Sequence, residues 1–126
     1  MTVSVRYIVD DAEAAAAFYR DHLGFEIRMQ PGPGFAMLDR DGLRLLLNAP
    51  GAGGAGQGDG QSPPEPGGWN RFQIEVDDVA GERERLAASG ADLRSPVLHG
   101  AAGSQVLVAD PSGNLVELFQ RASDAP

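Results

Sequence analysis

The sequence has no cysteine and no lysine; its ten cations are all arginine, against 18 acidic residues, for a formal charge of -8. Without cysteine there is no thiolate nucleophile, disulfide or thiolate-ligated zinc. Without lysine there is no Schiff-base chemistry on the chain's own amine side chains. An acidic chain with no basic stripe is a poor partner for nucleic acid or an anionic membrane, because neutralising phosphates takes clustered positive charge. Histidine occurs twice and aromatics eight times, counting one Trp, two Tyr and five Phe. No window approaches the ~18–20 apolar residues of a membrane span. The first ten residues hold no apolar signal core. The expectation is a single cytoplasmic domain with no nucleic-acid or membrane partner.

What is present is repetition. Residues 51–68 read GAGGAGQGDGQSPPEPGG, with eight glycines and three prolines in 18 residues. Such a stretch buries too little apolar surface to offset its ordering entropy, so it reads as a flexible linker or cleft-edge loop. It divides the chain into residues 1–50 and 69–126. Val9-Asp10-Asp11 in the first half recurs as Val76-Asp77-Asp78 in the second. Each triplet follows an alternating apolar run, Val3, Val5, Tyr7 and Val9 or Phe72, Ile74 and Val76, which predicts a strand. Each precedes a helical stretch with the aspartate at its N-cap and a glycine, Gly24 or Gly90, at its end. Three further strands are predicted in each half, at 25–30, 35–39 and 43–48 and at 92–98, 104–109 and 115–120, with turns at 31–34, Asp41-Gly42, 100–103 and 111–114. The order βαβββ, twice, predicts an α+β fold built on an internal duplication.

Period-two alternation sorts the first strands into two faces. Val5, Tyr7 and Val9 oppose Ser4, Arg6 and Ile8; Phe72 and Ile74 oppose Arg71, Gln73 and Glu75. The polar faces are expected either to line a cup or to lie in solvent. Aligning Gly42 with Gly113 matches Leu46 to Glu117. Glu117 sits inside the apolar run Leu115-Val116-Glu117-Leu118-Phe119, where a carboxylate needs a partner. Arg71 is the expected partner, with bidentate geometry available. The pair is either a tie within the sheet or a ligand contact.

Val9-Asp10-Asp11, Phe18-Tyr19 and Leu23-Gly24-Phe25 resemble the start of vicinal-oxygen-chelate proteins, the superfamily of glyoxalase I, the bleomycin-resistance proteins and the extradiol dioxygenases. Asp110-Pro111-Ser112-Gly113-Asn114-Leu115-Val116-Glu117-Leu118 is similar to its carboxy-terminal signature. The resemblance implies two βαβββ modules forming a cup-shaped mixed sheet, paired in a homodimer. It places the metal ligands of metal-dependent members on Ser4, Leu46, Arg71 and Glu117. Only Glu117 is a good ligand, since Leu46 has no donor atom and Arg71 puts a fixed positive charge where a cation would sit. The expectation is therefore no metal, no cofactor and no catalytic residue. His22 and His99 are expected at the surface.

The resemblance then points to the metal-free, bleomycin-resistance-like branch. That implies a metal-independent binding protein for a small planar or aromatic natural product, aromatic or cationic, in drug sequestration or antibiotic self-resistance. The expected polar anchors are Arg71 and Glu117, with Arg6, Gln73 and Asn48 around them. Trp69, Phe35, Met37, Leu46 and Phe119 are the expected apolar walls, with Trp69 closing over a flat ligand. The alternative is an enzyme of the same superfamily, of lyase, isomerase or dioxygenase type, acting either with a metal bound through unexpected residues or without metal, with Glu117 as a base and Arg71 stabilising an oxyanion.

Overall fold

In the computed structural model, which describes residues 2–122, the Asp11 carboxylate accepts from the backbone N–H groups of Glu13 and Ala14 at 2.9 and 3.4 Å. That satisfies donors the first helical turn would otherwise leave open. Helix α1 runs Ala12–Leu23 and closes at Gly24, whose N–H donates to the Tyr19 carbonyl. Asp78 caps the matching helix, α2, Val79–Ala88, through the N–H of Gly81 at 3.1 Å. Residue 1 and residues 123–126 of the two expected modules lie outside the described part.

The chain folds into two units, one taking in the chain through Gly67 plus the turn Pro111–Asn114, the other taking in Gly68–Asp110 and the chain from Leu115 on. In the first, β1 (Ser4–Ile8), β2 (Glu26–Gly32), β3 (Phe35–Arg40) and β4 (Leu43–Asn48) form a sheet in the order β1-β4-β3-β2. β1 runs parallel to β4 and the other neighbours are antiparallel. Asp41 and Gly42 both take positive φ, 51° and 87°, which is how a two-residue hairpin matches the twist of its strands. Tyr7, Val9, Ala36, Leu38, Leu45 and Leu47 are buried together with Ala12, Ala15, Ala16, Phe18, Tyr19 and Leu23 of α1. One face of the sheet is thus covered by the helix, as the alternation predicts. The 18-residue glycine- and proline-rich stretch contains a 3-10 turn at Ala55–Gln57. Its backbone is tied by Gly51 N–H to the Gly56 carbonyl at 2.7 Å and Gly56 N–H to the Ala52 carbonyl at 3.0 Å.

In the second unit, β5 (Phe72–Glu75), β6 (Asp92–Leu93), β8 (Gly103–Ala109) and β9 (Leu115–Arg121) form a path β5-β9-β8-β6, and β7 (Leu98–His99) also pairs with β8. β5 and β9 are parallel. The strand expected at 92–98 is instead two short pieces, β6 and β7. Leu93 pairs with Val108 but Leu98 pairs with Gln105, so the outer strand carries two extra residues. Pro96 has no N–H for the ladder, and the Ser95 hydroxyl accepts from Leu107 N–H at 2.9 Å in place of a backbone carbonyl. The α+β class and the mixed sheets agree with the sequence reading. Among the described residues no helix is long and apolar enough to cross a membrane.

Candidate functional site

The face of each sheet turned away from its helix carries the candidate residues. In the second unit Gln73 lies in register with Glu117, and Leu107 faces Glu117 from the other side. Leu107, Ala109 and Leu115 form a buried apolar cluster on this same face. Glu117 is itself only 8% exposed. A carboxylate so placed must be bonded. Arg71 Nε donates to Oε1 at 3.0 Å and Gln73 Nε2 donates to Oε2 at 2.6 Å. The expected Arg71–Glu117 pair is formed through Nε alone, and Gln73 holds the second oxygen. Arg71 instead turns Nη1 to the Trp69 carbonyl at 3.3 Å. Phe119, two residues beyond Glu117 on the same face, is half-buried. Trp69 is not in a strand and is 78% exposed.

The first unit repeats this layout with different chemistry. Arg6 is in register with Leu46, and Leu46 with Met37. The row Arg6, Leu46, Met37 thus corresponds to Gln73, Glu117, Leu107. Leu46 offers Arg6 no acceptor, so the guanidinium reaches along the face to Asn48, Nη1 to Oδ1 at 3.1 Å. Asn48 is buried and its Nδ2 donates to the Ala52 carbonyl at 3.5 Å. Arg6, Asn48 and Phe35 line a groove of about 500 Å3, whose remaining walls are Pro31, Gly32, Gly34 and the segment Ala52 to Ala55. Leu46 and Met37 sit beside it on the sheet without lining it. A second hollow of about 700 Å3 lies at the opposite end of the same strands. It is rimmed by ion pairs, Arg28 with Glu26 and Asp39 and Arg40 with Asp41.

The donor set does not suit a divalent ion. In the second unit both Glu117 oxygens meet nitrogen donors, one of them cationic. In the first unit the matched positions supply a leucine and one serine hydroxyl. Among the described residues no group of three or more His, Asp or Glu side chains is gathered to hold a metal. His22 is half-buried against the Phe18 ring, 5.5 Å between centroids, and is not the surface residue expected. His99 is exposed and bonds Ser104 through Nδ1 at 2.8 Å.

The sequence reading missed Asn114. Its side chain is buried. Nδ2 donates to the Ile8 carbonyl at 2.7 Å, and Oδ1 accepts from Gly67 N–H at 2.8 Å. Ser112 Oγ accepts from Asp10 N–H at 2.8 Å. The turn 111–114 is therefore a clamp on the end of β1 as well as a hairpin.

The sequence matches the family model described as the Glyoxalase/Bleomycin resistance protein/Dioxygenase superfamily over residues 3–118. The chain belongs to that superfamily. No curated protein matches it in sequence. Superfamily structures share its fold. Lactoylglutathione lyase from Agrobacterium tumefaciens superposes with a TM-score of 0.75 at 24% identity, covering 95% of this chain and 92% of its own. TnmS3, an antibiotic binding protein from Streptomyces sp. CB03234, gives 0.71 at 25% identity over 97% and 96%. The bleomycin-binding protein from Streptomyces verticillus, solved with copper(II)-bleomycin, gives 0.64 at 24% identity over 97% of each chain. Superfamily membership thus spans enzymes and binding proteins, and the choice between them falls to this chain's own side chains.

Proposed function

We infer that the protein binds a small planar or aromatic natural product without a metal and without transforming it, in drug sequestration or self-resistance in the cytoplasm. The observation that carries this is the engagement of Glu117: both oxygens are held, by Arg71 and Gln73. A carboxylate that carries a donor on each oxygen, one of them a guanidinium, has its charge matched within the protein, and the guanidinium puts a fixed positive charge where a metal would sit. The groove at Arg6, Asn48 and Phe35 supplies concave surface, and the 78% exposure of Trp69 leaves its ring available to stack. The exposed apolar side chains Val3, Met29 and Leu98 support association into a homodimer; light scattering on purified protein should give twice the chain mass.

The test uses the single tryptophan as its reporter. A panel of aromatic antibiotics, bleomycin included, is titrated against purified protein while Trp69 fluorescence and metal content are followed. The expected result is saturable quenching, no stoichiometric divalent metal and recovery of the compound unchanged. Trp69→Ala should weaken binding at least tenfold, about 1.4 kcal/mol, followed by calorimetry, with the thermal midpoint unmoved. Bound metal at one per chain, or turnover of the compound, overturns the reading in favour of an enzyme.

A further inference from the structure

Seven of the ten arginines face a carboxylate: Arg20, Arg28, Arg40, Arg71, Arg85, Arg94 and Arg121. Among the described residues, Arg6, Arg44 and Arg83 do not. Arg83 donates to the Ser95 carbonyl, and Arg44 shares its hollow with Glu26, Asp39 and Asp41. Arg6 is different: no acidic residue lines its groove. In a chain of net charge -8, a guanidinium at an apolar groove with no carboxylate beside it is a local reversal of sign.

The cause is visible in the repeat. Leu46 stands where Glu117 stands in the second unit, so the first sheet gives its cation only the neutral Asn48. With Nη1 directed to Asn48, the Nε and Nη2 edge of Arg6 has no protein acceptor among the described residues. That edge is a planar two-donor fork, the shape that matches a carboxylate. Phe35 offers a ring, while Gly53 and Gly54 leave the loop wall without side chains, so a flat ring can approach the backbone. The volume, about 500 Å3, lies inside the roughly 300–1,000 Å3 range of small-molecule sites.

We propose that the groove at Arg6, Asn48 and Phe35 selects aromatic carboxylates, with the acid group on the free edge of Arg6 and the ring between Phe35 and the Gly53-Gly54 wall. This rests on the binding reading above and narrows its ligand class from aromatic to aromatic and anionic. Asn48 acts as a positioning residue: it fixes the guanidinium through Oδ1 and ties the sheet to the loop through the Ala52 carbonyl.

The probes are 2-naphthoate and its neutral counterpart 2-naphthamide, titrated calorimetrically into the full chain. Wild type should bind the acid at least tenfold more tightly than the amide, with the preference shrinking as salt rises. Arg6→Gln removes the charge at an exposed position and should bring the two affinities together with the thermal midpoint unchanged. Gly54→Leu adds bulk at a groove-lining position with an ordinary φ of -63° where a Cβ meets no protein atom; it should weaken both probes. Equal affinities in wild type, a preference that survives Arg6→Gln, or no binding of the acid each overturns the proposal. Those results leave the broader reading standing if the antibiotic panel still quenches Trp69. Bound metal or turnover removes the broader reading by itself, whatever the naphthoate preference.

Discussion

Replacing Glu117 by leucine asks what the carboxylate contributes to the second unit, because leucine is what the duplicated position, Leu46, already carries. The substitution deletes the bonds from Arg71 Nε and Gln73 Nε2. Bonds to a charged acceptor are worth about 1.5–3 kcal/mol each, so about 3–6 together. The Arg71 side chain is 27% exposed and Gln73 is exposed, so water recovers roughly half of that. A leucine beside Leu107, Ala109 and Leu115 returns about 0.5–1 kcal/mol of apolar burial. The net expectation is a loss of about 1.5 kcal/mol, a fall of about 5 °C in thermal midpoint and a urea midpoint lower by about 0.8 M. Adding Arg71→Ser, the residue found at Ser4, removes the stranded cation and should bring the double variant to within about 0.5 kcal/mol of wild type. Urea unfolding of the four proteins in the cycle, followed by circular dichroism, gives the coupling directly. A Glu117→Leu variant as stable as wild type, or a double variant no better than the single, would refute the claim that Arg71 and Glu117 hold each other in place.

Asp11→Ala should cost about 1 kcal/mol in the same assay, since two N–H groups of α1 lose their acceptor. Gly56→Ala should cost about 1–3 kcal/mol, because a Cβ there would stand 2.7 Å from the Ala49 carbonyl and 2.9 Å from Gly51; it should also weaken naphthoate binding by disturbing the groove wall, read by calorimetry. The Asp59 carboxyl is held below the ordinary aspartate value by the N–H groups of Ser62 and Gln61. Its contribution is therefore present above the unfolded-state value and lost as pH falls through the folded one. A carbon-detected NMR titration should place its midpoint below those of free aspartates, and Asp59→Asn should flatten the acid limb of the stability curve.

The architecture was legible because its signals are local. Two aspartate caps, two strands with strict alternation and the Asp41-Gly42 turn each specify their own conformation, and the duplication makes each half corroborate the other. The Arg71–Glu117 pair was legible for a different reason: a lone carboxylate in an apolar strand requires a partner, and alternation left Arg71 on the right face. Its geometry was not legible, because which donor takes which oxygen depends on the parallel register that sets Gln73 directly opposite Glu117. The split of the strand expected at 92–98 turns on one proline and on the Ser95 hydroxyl standing in for a carbonyl. The 3-10 turn at Ala55–Gln57 rests on backbone bonds, to which composition is blind. Asn114 escaped notice because Pro-Ser-Gly-Asn reads as a complete turn, with nothing to announce a partner as distant in sequence as Ile8.

That long reach bears on how the polypeptide is made. Ile8 and Gly67 leave the ribosome well before Asn114 does, so the carbonyl at the end of the opening strand and the Gly67 amide both wait for the turn of the second repeat before they are matched. A nascent chain halted at the end of the first repeat is therefore an unfinished object, and splitting the gene at that point should yield a half that gains order only when a peptide bearing the missing turn is supplied.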